Sequence, residues 1–371
     1  MRHWTSRARN SLAFPGRGTA LGLLAAVGLS AVATAQEITV TDQYGRSVTL
    51  DGPAERIVTI PMPAAAMLIA IDGGTDRLAG MHAQSQAAVE EGILGGFFPE
   101  AADLPSAFVG DGFVPNVEEV LRISPDLVIQ WGTRGDEIIQ PLVDAGLDVV
   151  TLAYGTEEMT REWIALFGQV TGNADRAERL IAWRDDVLAE VEADMGGVAD
   201  ADRPRVVYFL RFLSSLRVAG EDTYNDFYIE LAGGENPADG QSGWVDVNPE
   251  QVIAWDPEVI LLNGFESGLS PQDVYDNPLF AGVSAIRNNR VYQVPLGGYR
   301  WDPPNQESPL MWMWLAEVLH PDLADYPLRA EIAEAYEWIY GQVPTESQID
   351  GVLRMQANAQ ARGYQVFAGG S

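Results

Sequence analysis

The chain has 371 residues, 47% of them hydrophobic, with 53 acidic residues, 23 basic ones and no cysteine. That length exceeds the roughly 100–200 residues of one domain, so two domains are expected, and the apolar content excludes a disordered chain. The lack of cysteine excludes disulfides, iron–sulfur centres and a lipobox anchor, and a formal net charge of −30 disfavours nucleic acid and anionic lipid as partners.

The first 35 residues hold four arginines, no acid, and an apolar run, TALGLLAAVGLSAVA, that closes on Ala33-Thr34-Ala35. A positive region, a short apolar core and an Ala-x-Ala site make a secretory signal peptide, cleaved before Gln36. The run falls short of the about 20 residues that span a bilayer, so no stable membrane insertion is expected. The predicted location is the periplasm, without lipidation. The remaining 19 basic residues face all 53 acids, a net of −34. Every basic residue is Arg, a bias that a salt-adapted surface explains without any function.

In chain order, residues 38–50 (ITVTDQYGRSVTL) alternate like a hairpin that turns at DQYGR. RIVTI (56–60) is a buried-strand run, AAAMLIAI suits a helix, and DRLAGMHA (76–83) is strand then loop. Next comes VPNVEEVLRISPDLVIQWG (114–132), whose pattern returns as VDVNPEQVIAWDPEVILLNG (245–264). Asn116, Glu118, Val120, Pro125 and Asp126 match Asn248, Glu250, Val252, Pro257 and Glu258 at a constant offset of 132. In each copy Asn caps a helix, Glu119 or Gln251 completes a capping box, and Pro ends it. The Val/Ile/Leu run that follows is that of a parallel strand covered on both faces. Two copies of helix, turn and buried strand predict two similar α/β lobes.

Residues 157–195 are helical by pattern, and a helix over 174–195 would measure roughly 30 Å at 1.5 Å per residue, enough to bridge two lobes. An ordinary amphipathic helix on one lobe has the same pattern. RVVYFL (205–210) and NRVYQV (289–294) read as strands, and PLGGYRWDPPNQESP (295–309) as irregular. LMWMWLAEVLHPDL is an apolar helix whose Trp312, Trp314 and Leu315 suit a core, with His320 at its end facing the terminal carbonyls. Residues 328–363 read as two amphipathic helices. The expected division is a signal peptide (1–35), an N-terminal lobe (36–158), a linker with the long helix (159–202), a C-terminal lobe (203–345) and a helical tail (346–371).

From about residue 38 to 340 the chain resembles the periplasmic binding proteins of ABC importers for iron–siderophore, haem and cobalamin. The likeness rests on TDQYGRSVTLDGPAERIVTI, on NVEEVLRISPDLVI and NPEQVIAWDPEVILL, and on NPLFAGVSAIRNNRVYQV, four phrases in the family's order. The resemblance implies two α/β lobes joined by one long helix, with the ligand cleft between them. It also implies that a glutamate on each lobe, here Glu118 and Glu250, docks against arginines of a membrane permease coupled to its ATPase. An acid in a helix's first turn is also favourable for the helix alone.

Such sheets bind ligands beyond the carboxyl ends of their strands. The loops there are 61–64, 82–85, 131–134, 211–215, 264–266 and 297–302, and they offer His82, Trp131, Arg134, Arg211, Tyr299, Arg300 and Trp301. Trp244, just before the second motif, joins the set. Arginine forks and aromatic faces suit an anion with a flat body, although each residue alone equally suits a surface ion pair or the core. Past the signal only His82 and His320 remain as imidazoles, so a zinc site of several histidines is excluded and a metal cargo would arrive chelated. No cofactor is expected.

No nucleophile-elbow, phosphate-loop or His-Glu-x-x-His motif occurs, which argues against an enzyme and leaves only a carboxylate-pair hydrolase among catalytic readings. The sequence therefore predicts a monomeric solute receptor for a metal chelate, an Fe(III)–siderophore or a haem-like anion. Cobalamin, an oxyanion such as molybdate, and a sensor role are the alternatives.

Overall fold

Three sheets organise residues 37–369, the part of the chain that this computed structural model describes. The predicted signal peptide lies outside the described residues. A hairpin, β1 (Ile38–Thr41) and β2 (Ser47–Leu50), turns at Asp42–Arg46 with Gly45 at φ 75°. Asp42 orders this turn by accepting the N–H groups of Tyr44 and Arg46, and it also takes the Thr151 N–H at 3.1 Å. The turn is thus pinned to the first lobe's sheet.

That sheet holds β3 (Ile57–Thr59), β4 (Leu78–Met81), β5 (Leu127–Trp131) and β6 (Val149–Leu152) in the order β4-β3-β5-β6, all parallel. Strands β3, β5 and β6 are buried throughout, as their unbroken apolar runs require for a sheet covered on both faces. The second sheet contains β7 (Val206–Arg211), β8 (Arg217–Ala219), β9 (Trp244–Asp246), β10 (Val259–Leu262) and β11 (Val291–Gln293) in the order β11-β10-β7-β8-β9. Strands β7, β10 and β11 are parallel, but β8 and β9 run antiparallel at one edge. Only five residues join β7 to β8, too few for the crossover that a parallel neighbour needs. The lobes therefore share a parallel centre but differ at the edge.

The 157–195 segment forms two helices, Glu157–Thr171 and Ala174–Met195, parted at Gly172 in left-handed conformation. The second, here the spine helix, spans about 33 Å at 1.5 Å per residue. It packs against Glu157–Thr171 and Ala64–Asp72 beside the first sheet and against Tyr224–Leu231 and Ser308–Leu319 beside the second. At its middle Arg184 is wholly buried: Nε donates to Glu157 at 2.7 Å, Nη1 to the Asn305 carbonyl at 2.7 Å, and Nη2 to Tyr224 at 3.2 Å. Burial pulls this guanidinium's pKa down, but Glu157 and Tyr224 outweigh it and hold the charge firmly. One apolar core runs without a break from Val40 to Phe367, through both lobes and the spine. The helix Leu328–Tyr340 returns to the first lobe, where Arg176 binds the Ile339 carbonyl at 2.7 Å.

A lobe pair clasped through Arg184 and a shared core should not hinge widely. Small-angle scattering is expected to register a change in radius of gyration of less than about 1 Å on ligand addition, far from the collapse that a hinge motion produces. A drop of several ångströms would overturn the rigid-spine picture.

Candidate functional site

The repeated unit builds the frame of the site. Asn116 Oδ1 accepts the Glu119 N–H at 3.3 Å, and Asn248 Oδ1 accepts the Gln251 N–H at 2.8 Å, capping the helices Val117–Ile123 and Pro249–Trp255. The expected capping boxes are only half made, because the Asn116 N–H is taken by the Phe108 carbonyl and Glu119 pairs with Arg122. Val120 and Val252 are wholly buried. Ser124 and Asp256, again 132 apart, end the helices at φ 55° and 43°. Arg56 then binds the carbonyls of Ile123 and Ser124, and Arg205 those of Trp255 and Asp256. Asp126 accepts the Glu55 and Arg56 N–H groups, and Glu258 accepts the Arg205 N–H. Each matched pair has a folding task except one: Glu118 and Glu250 are exposed and make no hydrogen bond or ion pair among the described residues. Each helix doubles back into the strand that follows, so its first turn stands at the carboxyl edge of the sheet, beside the cleft.

The first lobe's wall of the cleft is aromatic. His82, Phe113, Trp131 and Tyr154 follow one another with ring centroids 5.4, 6.3 and 6.2 Å apart, and the exposed Arg134 guanidinium lies 4.7 Å over Phe113. His82 Nδ1 accepts the Gln84 N–H at 2.9 Å, which caps the helix Ala83–Glu91 and leaves the other ring nitrogen as the donor. Burial lowers its pKa and keeps it neutral. Trp131 is itself buried, packed on Trp163 at 5.5 Å, so it backs this wall instead of facing a ligand, a correction to the sequence expectation.

The second wall carries Tyr208 and the half-buried Trp244, 6.2 Å apart, with Arg211 at the end of β7. Arg211 donates only to the Leu210 carbonyl at 2.7 Å. Arg134 and Arg211 make no ion pair among the described residues.

The loop 295–307 closes the site from below, and it is buried despite its Gly and Pro content. Its anchor is Glu307, whose carboxylate accepts from Trp301 Nε1 at 2.7 Å, the Gly298 N–H at 2.8 Å, Tyr336 at 2.8 Å and Tyr340. A Cβ at Gly297 or Gly298 would collide with these groups, so both positions require glycine. Two expectations are corrected here. Trp301 has no exposed surface, because its indole is committed to Glu307. Arg300 is 2% exposed and its guanidinium is held by main-chain carbonyls of both lobes, Gly264 at 2.8 Å and Gln84 at 3.2 Å. It tethers the lobes. His320 also differs: it meets the carbonyl of Gly233, beyond the helix Tyr224–Leu231, at 3.0 Å and not its own helix end.

The same loop presents a group that the sequence reading missed. Asp302 is buried, accepts the Tyr208 hydroxyl on Oδ2, and has no partner on Oδ1. Burial pushes its carboxyl up to about 6, against the Tyr208 hydrogen bond and the charges of Arg300 and Arg211. Tyr299 is buried too, its hydroxyl also without a partner, and Asn225 Oδ1 makes a third such atom. Tyr154 of the first wall lies near enough to Asp302 for that charge to raise its phenol's pKa, after the larger effect of burial. The floor thus brings both lobes together around one carboxyl, phenols and unused acceptors. Such an arrangement grips an anion at its arginine rim and receives hydrogen-bond donors at its floor. Among the described residues no group of three or more His, Cys, Asp or Glu side chains converges as a bare metal site.

Comparisons with known proteins place this architecture. Residues 99–296, more than half of the chain, match the family model for periplasmic binding proteins. The cobalamin-binding protein of Halobacterium salinarum is 30% identical over 261 residues, which is 69% of this chain and 65% of that protein's length. Molybdate-binding protein MolA of Haemophilus influenzae is 24% identical, covering 86% of this chain and 94% of its own. The solved structure of a periplasmic solute binding protein from Veillonella parvula superimposes with a TM-score of 0.79 at 31% identity, over 87% of this chain and 99% of that one. With a repeated helix–strand frame, two walls and one spine matched in this order, the chain belongs to the periplasmic binding protein family.

Proposed function

We propose that this chain is the periplasmic solute receptor of an ABC importer, which captures a metal chelate, an Fe(III)–siderophore or a haem-like anion, and delivers it to a membrane permease and its ATPase. The observation that carries the reading is the pair of facing aromatic walls, each bearing an arginine that no carboxylate engages, Arg134 and Arg211. In a chain with so many acids, arginines kept free at a cleft rim are available to an anion. Flat ligand surfaces fit Phe113 and Trp244, and the permease docks through Glu118 and Glu250. A cobalamin cargo is the second reading, favoured by the Halobacterium relative's name. No residue pair of the cleft is assigned to catalysis.

Tryptophan fluorescence tests this directly, with a ferric hydroxamate, haemin, cyanocobalamin and molybdate as probes. Saturable quenching by a ferric chelate or haemin is expected, and Arg211→Ala should weaken it more than tenfold, about 1.4 kcal/mol. Quenching by cobalamin alone would move the function to the second reading. No response to any chelate would remove the chelate proposal.

A further inference from the structure

The two repeat helices leave a second matched pair without a folding task. Leu121 and Ile253 stand 132 residues apart, three residues after Glu118 and Glu250, and are 44% and 45% exposed. On a helix that spacing sets each apolar side chain beside its glutamate on one face, about 5–6 Å away. The neighbouring Val120 and Val252 are wholly buried, so these helices have an inward face that is already filled. Nine large apolar side chains are exposed among the described residues, and four of them, Val114, Leu121, Ile253 and Leu279, belong to these two places. Val114 precedes the first helix, and Leu279 sits on the turn Pro278–Phe280 that packs against the second. A single exposed leucine needs no explanation. An exposed apolar residue repeated in the same register on two lobes, each beside an unpaired acid, does.

We infer that Leu121 and Ile253, with Val114 and Leu279 at their sides, are the apolar anchors of the permease-docking surface. This rests on the docking role proposed for Glu118 and Glu250. The partner fits if it offers the same chemistry twice: an arginine or lysine next to an apolar side chain, at two sites spaced as the lobes are. Charge complementarity selects this occupant, since a surface with a net of −34 repels a second copy of itself while it attracts a basic membrane face. The division of labour follows from interface physics: rim charges steer and orient, whereas buried apolar contacts hold the complex once water is expelled. Arg122 and Ala254, the next exposed pair, differ in character, so the match ends at the acid and the apolar residue.

The test measures binding of the ligand-free mature receptor to its cognate permease–ATPase complex in nanodiscs, at low salt and at high salt. The variants are Leu121→Gln with Ile253→Gln, and separately Glu118→Gln with Glu250→Gln. The apolar variant is expected to bind at least tenfold more weakly at both salt concentrations, with slower association contributing little and melting unchanged. The acid variant should lose affinity at low salt only. Normal binding by the apolar variant beside a weakened acid variant would overturn this inference and leave the docking reading standing. Normal binding by both would overturn both. A lowered melting temperature for the apolar variant would reassign the two residues to folding, and a solution dimer broken by the same substitutions would reassign them to self-association; either result overturns the inference.

Discussion

Asp302→Asn is expected to raise the stability of the unliganded protein at pH 7.5 while it weakens ligand binding. A carboxyl whose folded pKa, about 6, lies above its ordinary 3.8 holds its proton more tightly when folded. Ionising it in place therefore costs stability: the penalty is absent below about 3.8, grows through the interval and is complete above about 6. A difference of that size corresponds to about 3 kcal/mol at neutral pH. Asparagine keeps the shape, accepts the Tyr208 hydroxyl through its carbonyl and carries no charge to bury. Denaturant unfolding at pH 7.5 should show the variant more stable by roughly that amount, and at pH 3.5 the two proteins should converge. If wild type and variant are equally stable at pH 7.5, Asp302 is not a strained carboxyl. If the variant also binds its ligand normally, the floor of the cleft does not belong to the site.

A fold that retains such a group at a cost to its own stability implies a use for it. The surrounding frame has no comparable defect: Glu307, equally buried, is satisfied by four donors and fixes the loop on which Asp302 stands. Rigid support and an unsatisfied reactive edge are what a preformed binding site requires.

What the sequence disclosed follows from how local each interaction is. The repeat was legible because its Asn cap, its buried Val and its Pro stop all act within a dozen residues, and each has a type that the task demands. The parallel strands β5 and β10 announced themselves as unbroken apolar runs. Strands β8 and β9, three residues each, sit at an edge where the pattern is mixed, so the antiparallel side of the second lobe left no clear signal. Asp302 was missed because nothing near it in sequence marks it. Its partner Tyr208 is 94 residues away, and its pKa depends on burial by the whole lobe. Trp301 and Arg300 were misread for the opposite reason. Gly- and Pro-rich backbone ordinarily runs over the surface, since buried irregular chain leaves polar groups unpaired. Here Glu307 and Asn305 supply those partners, so an irregular segment lies inside and its conspicuous side chains are structural.

The largest effect on transport is expected from reversing both docking charges. Glu118 and Glu250 are exposed and unpaired, and no fold contact depends on them among the described residues. Their only local interaction is with the N-terminal end of a short helix, which is worth at most about 1 kcal/mol each. Replacing both by Gln should therefore leave melting within a few degrees of wild type and ligand affinity unchanged, with uptake reduced. Replacing both by Arg sets like charges against the basic groups that the docking reading requires on the permease, a penalty of several kcal/mol at such an interface. Uptake should then fall almost to zero while chelate quenching of the receptor's tryptophans stays intact, because neither residue belongs to the walls or floor of the cleft. The single reversals, one on each lobe, should each retain part of the activity if the two contacts act independently. Chelate uptake by cells that carry the permease, measured beside fluorescence titration of the same purified variants, separates docking from binding. Full uptake by the doubly reversed protein would mean that the matched glutamates are only an echo of two similar lobes, and the partner surface would have to be sought elsewhere.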